Sequence, residues 1–120
     1  MLNISLDEGY VFDMIAILEI KSKIFTGQKL HKAIESMNSI CQEVKSQIGK
    51  DKFNKILSSD EYQKLYLANK KVFGLIDLAK TSEGLSKETD DANYDRYLNK
   101  ISLQKKFFND IISEVKNKED

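Results

Sequence analysis

The sequence predicts an all-α single domain, bundle-like, built on four main helices with the first at the centre. Three observations carry this. Proline is absent and only 5 of the 120 residues are glycine, so the two residues that most often break helices are nearly missing. Apolar residues recur at three- and four-residue intervals along most of the chain. The longest apolar stretch, Gly9 to Lys21 (GYVFDMIAILEIK), is greasy on too many sides to be covered by one neighbour and requires burial against several helices.

The first helix is expected over residues 6–25. Ser5-Leu6-Asp7-Glu8 has the form of a capping box, in which Ser5 and Glu8 would satisfy each other's amides. Tyr10, Met14, Ile17 and Ile24 form one apolar stripe, and Val11, Ile15, Leu18 and Phe25 a second. Gly27 is expected as a left-handed C-cap. The second helix, 29–48, carries a seam of Leu30, Ala33, Met37, Ile40 and Val44, suited to an antiparallel hairpin with the first. Gly49 ends it. Residues 50–57 read as a short helical turn bearing Phe53, Ile56 and Leu57. Ser58-Ser59-Asp60-Glu61 is a second capping-box candidate, opening a third helix over 60–79 with Tyr62, Leu65, Tyr66, Val72, Phe73 and Ile76 on its stripe. Gly74 within it either weakens the helix or permits close packing. Residues 81–89 read as a polar loop. A fourth helix is expected over 90–115, with Asp90 and Asp91 in its first turn, where acidic residues suit the dipole.

Composition excludes several function classes. Lysine plus arginine and aspartate plus glutamate balance at 19 each, so there is no general attraction for nucleic acid or an anionic membrane; any anion site must be local. No segment reaches the roughly 18 uninterrupted apolar residues of a membrane span. The N-terminus does not read as a signal peptide, and the single cysteine, Cys41, rules out an internal disulfide and favours a reducing, cytoplasmic setting. One histidine (His31), one cysteine and no E-x-x-H pair leave nothing with which to assemble a metal site, and no cofactor is expected. The E-x-x-E and E-x-x-D carboxylates of helical nucleotide pyrophosphohydrolases are replaced by Glu19-x-x-Ser22 and Glu35-x-x-Asn38. Neither G-x-x-x-x-G-K nor G-x-S-x-G occurs.

Three segments, taken in order, resemble a small all-helical family found beside bacterial glycosyltransferase genes and in tailed phages. Its first signature reads G-E-x-x-D-K-I-T-I-L-E-I-K; here Asp13, Ile15, Ile17, Leu18, Glu19, Ile20 and Lys21 match, Met14 and Ala16 depart, and the Gly-Glu pair is reversed as Glu8-Gly9. Leu65, Tyr66, Asn69, Val72, Phe73 and Asp77 are similar to L-Y-x-x-N-x-x-L-W-x-I-E-D, with Phe73 for Trp and Ile76 for Glu. Asn93, Arg96 and Lys100 loosely resemble N-D-x-R-A-x-I-K. The resemblance implies a helical bundle and brings no assigned activity with it.

The residues singled out are polar groups set in apolar surroundings. Asp13 lies on the face of Ile17 and Ile20, where a carboxylate needs a partner if buried. Asn69 and Asp77 are about two turns apart on one helix. Arg96, the only arginine, offers the bidentate grip on carboxylate or phosphate that lysine lacks. Either these groups form an interhelical network that sets packing, or they line an anion pocket with Arg96, Lys21 or Lys100 as donors and Tyr94 or Tyr97 as a stacking wall. The functional expectation is a non-catalytic homo-oligomeric binding protein, associating through its first two helices and capturing a small phosphate-bearing, nucleotide-type ligand between helices or subunits. A phage protein that sequesters a signalling nucleotide would need no more chemistry than this. The alternative is an adaptor or inhibitor that uses an exposed apolar face on another protein. An enzyme linked to glycan assembly is weakest, since neither nucleophile nor acid–base pair can be named.

Overall fold

A computed structural model describes residues 7–79 and 86–108, those at 76–79 and 86 by backbone alone. The order is α1 (Glu8–Ile24), α2 (Gly27–Ile48), α3 (Lys50–Leu57), α4 (Asp60–Ala79) and α5 (Ser86–Phe107), with no strand among the described residues. The all-α expectation holds, with α1 packed against α2, α4 and α5. The last helix begins at Ser86, so the end of the expected polar loop is already helical. Ser86, Lys87, Glu88 and Thr89 form a polar, acidic first turn that a helix accepts readily.

The joints differ in detail from the expectation. α1 starts at Glu8 after Asp7, whose side chain makes no capping hydrogen bond; Ser5 lies outside the described residues. The Glu8 carboxylate turns instead to Gln104 on α5. Gly27 is left-handed, with φ +62°, but it opens α2; α1 is closed by Phe25, whose amide donates to the Lys21 carbonyl at 2.9 Å. Gly49, with φ +93°, both ends α2 and begins α3. At α4 the cap is Ser59: its hydroxyl accepts from the Tyr62 amide at 3.1 Å and donates to the Ile56 carbonyl at 2.6 Å. Ser58 instead donates to the Asn54 carbonyl.

The core is Phe12, Ile15 and Ala16 of α1, Phe53 and Ile56 of α3, Tyr62 and Leu65 of α4, and Leu103 of α5. The short α3 is therefore a core element, because its two large side chains close the space between α2 and α4. α1 keeps only Tyr10 and Ile24 exposed among its large apolar residues; its wide apolar surface is absorbed mostly within the chain. α2 is the opposite case. Ala33 alone is fully buried, Leu30, Met37, Ile40, Cys41, Val44 and Ile48 are half-buried, and Ile34 is exposed.

Two interior glycines have opposite surroundings. A methyl group on Gly9 would meet the Lys100 carbonyl oxygen at 2.8 Å and Gln104 at 3.3 Å, whereas one on Gly74 would meet nothing within 4 Å. Gly9 thus lets α1 and α5 approach, and Gly74 serves no packing. Gly9→Ala should lower unfolding stability by about 1–3 kcal/mol through overpacking against a helix backbone. Gly74→Ala should raise it by about 0.5–1 kcal/mol. Urea denaturation of both variants checks this, and equal signs would refute the assigned packing.

Candidate functional site

The deepest polar feature is a network joining three helices. Asp13 in α1 is 2% exposed. Arg96 in α5 donates to both of its carboxylate oxygens, Nη2 to Oδ2 at 2.7 Å and Nε to Oδ1 at 3.2 Å. Asn69 in α4, 1% exposed, donates to Oδ1 at 2.8 Å and to the Leu65 carbonyl at 3.1 Å. Arg96 spends its remaining contact on Asn93 at 3.4 Å. A carboxylate in an apolar helix face requires compensation of this kind, and a bidentate guanidinium supplies it with fixed geometry. The hydrogen bond to Asp13, more than any other influence, raises the Arg96 pKa. Asp13, Asn69 and Arg96 come one each from α1, α4 and α5.

A second clamp lies one turn back on α1. Gln104, 1% exposed, accepts from the Gly9 amide at 2.6 Å and donates to Glu8 at 2.8 Å. Gly9 is in the first turn of α1, where amides lack intrahelical acceptors. α5 thus supplies an acceptor to the first turn of α1 from outside.

The remaining sequence-named residues make no hydrogen bond to this network among the described residues. Tyr94 and Tyr97 stack on the surface of α5, 62% and 50% exposed, with ring centroids 6.2 Å apart. The Lys100 ammonium lies 5.5 Å from the Tyr10 ring and 5.7 Å from the Tyr97 ring. Lys21 lines a different place, an open depression of about 340 Å³ between α1 and α2, with Lys29, Lys32, Leu18, Phe25, Ala33 and Ser36. The side chain of Asp77 lies outside the described residues. Tyr97 and Lys100 thus share α5 with Arg96, whereas Lys21 lies at the depression; the network takes Asp13, Asn69 and Arg96, and it pairs the arginine's charge.

A further concave feature, of about 650 Å³, lies elsewhere on α1. α1 forms its floor, and α2, α3 and α4 supply the walls. Glu19 accepts from the Tyr62 hydroxyl at 2.8 Å and from Lys23 at 3.5 Å, and Lys23 also donates to the Tyr66 hydroxyl at 3.0 Å. Burial, then the hydrogen bond and charge of Glu19, push the Tyr62 phenol far above its ordinary value of 10.0. The Tyr66 hydroxyl, more than any other neighbour, raises Lys23. Burial likewise raises the Cys41 thiol. The spacing of Glu19 with Lys23 and of Tyr62 with Tyr66 signals two faces in sequence, but nothing in sequence says that they meet. Among the described residues there is no group of three or more potential metal ligands and no helix long and apolar enough to cross a membrane.

Compared with protein-family models, curated proteins and solved structures, the chain finds no match in any of the three.

Two outcomes follow from this geometry. Arg96→Ala strands a buried carboxylate and should cost about 3 kcal/mol. A double-mutant cycle pairing it with Asp13→Asn should show coupling of about 0.5–3 kcal/mol, and strictly additive losses in chemical denaturation would refute the pairing. Because the folded chain keeps the Tyr62 proton where an unfolded tyrosine loses it, that residue's contribution is complete below about pH 10 and is lost as pH rises further, by up to about 1.4 kcal/mol per pH unit. Tyr62→Phe should flatten the stability profile above pH ~10. An unchanged slope would refute the assignment.

Proposed function

We propose that the protein is a non-catalytic, cytoplasmic binding protein that captures a small phosphate-bearing ligand of nucleotide type at the α1–α2 depression. The observation that carries this reading is the convergence of Lys21, Lys29 and Lys32 on one depression whose lining contains no carboxylate. Among the described residues none of the three has an acidic side chain within ion-pair distance. In a chain of zero net charge, this is a local surplus of three positive charges, suited to a phosphate or diphosphate. Phe25, with the Lys29 ammonium 5.8 Å from its ring centroid, offers a face for a base.

The depression is open, and a second copy laid over it would close it. The half-covered seam of α2 and the exposed Ile24 and Ile34 on the same two helices support self-association there. Sequestration of a signalling nucleotide, as suits a phage protein, needs only such a closed anion site. The family resemblance belongs to the same proposal, supported by the meeting of its three segments at Asp13.

Light scattering should give an oligomer, and calorimetry with nucleoside diphosphates and pyrophosphate should give binding that weakens with salt. Lys29→Glu should reduce affinity about ten-fold, while Lys100→Ala should leave it unchanged. Absence of heat with every phosphate ligand refutes the reading. A protein-binding role is the second reading, favoured by the exposed Tyr94, Tyr97 and Leu98 on α5, since tyrosines dominate protein interfaces. A stoichiometric partner released by Tyr97→Ala would support it.

A further inference from the structure

We infer that the cleft between α1, α2, α3 and α4 is a second ligand site, shaped for an apolar molecule carrying one carboxylate. Its volume of about 650 Å³ falls within the roughly 300–1,000 Å³ typical of small-molecule sites. Ile15 and Phe53, each 2% exposed, close the base from beneath; the half-buried Met37 and Leu57 present its apolar surface, and Asn38 and Asn54 add polar groups to the walls. Such a floor takes a hydrocarbon or aromatic body.

Charge decides the head group. The lining carries one carboxylate, Glu19, and two ammonium groups, Lys23 and Lys45. Glu19 is already matched by Lys23 at 3.5 Å and by the Tyr62 hydroxyl. Lys45 has no ion pair among the described residues. Its ammonium stands 5.3 Å from the centroid of the buried Phe53 ring, which holds it against the cleft floor. Lys23 is similarly placed 4.9 Å from the Tyr66 ring. The surplus is a single positive charge at the end of an apolar trough. A carboxylate monoanion satisfies it; a phosphate monoester, near two negative charges, would leave one uncompensated beside Glu19. This distinguishes the cleft from the depression at Lys21, where three lysines face no carboxylate.

Cys41 lines the cleft and is half-buried, so its alkylation rate reports occupancy in the unmodified chain. With octanoate as probe, iodoacetamide labelling of Cys41 should slow to a plateau as the probe saturates. Octylamine and inorganic phosphate should leave the rate unchanged. Lys45 is exposed, so Lys45→Glu should keep the fold while weakening octanoate protection about ten-fold. Lys29→Glu, which removes the proposed phosphate site, should leave protection intact, so the two proposals fail separately. Unchanged or faster labelling with octanoate, equal protection by octylamine, or full protection in Lys45→Glu would each overturn the inference.

Discussion

The fold depends on neutralising one buried carboxylate. Asp13 lies in the most apolar helix of the chain, and without partners its charge would be intolerable there. Arg96 and Asn69 meet it from α5 and α4, so three helices are fixed relative to one another by hydrogen-bonded contacts between 2.7 and 3.2 Å long. An apolar contact would tolerate sliding; a bidentate guanidinium does not. The network therefore sets register as well as satisfying charge. The Gln104 clamp on Glu8 and Gly9 repeats the principle at the start of α1, where the bare methylene of Gly9 permits α5 to come close.

The consequence for function is that the most conspicuous basic residue is occupied. Arg96 is the only arginine, yet its charge belongs to Asp13. Recognition must use surfaces that this network leaves uncommitted. Among the described residues these include the lysine-lined depression between α1 and α2, the mixed cleft over α1, and the tyrosine pair on α5. They differ in charge surplus and depth, and so in the chemistry each can hold. The depression is strongly cationic and open, the cleft carries one carboxylate against two ammonium groups, and the α5 surface is aromatic.

The cleft exists because α3 is short. Eight residues suffice to place Phe53 and Ile56 in the core and to join α2 to α4, but not to fill the space above α1. Glu19, Tyr62, Lys23 and Tyr66 then line that space with a hydrogen-bonded chain.

Local periodicity determined the elements. The spacing of apolar residues placed the first three long helices within a few positions, because a helix face is written at three- and four-residue intervals; the expected end of the last, at 115, lies outside the described residues. The centrality of α1 was legible for the same reason, as was the need of Asp13 for a partner. Asn69 and Arg96 were legible as candidate partners, polar groups set on apolar helix faces; what sequence left open was whether they close on Asp13 or line a pocket, since they lie 56 and 83 residues away and nothing local encodes that choice. The Gln104 contact to the Gly9 amide was not legible, because it comes from 95 residues on, across the bundle. Lys21 was separated from Arg96, and Glu19 joined to Tyr62, by helix rotation and packing alone. Those are properties of the assembled core, where side chains compete for the same volume, and no window of sequence contains that competition.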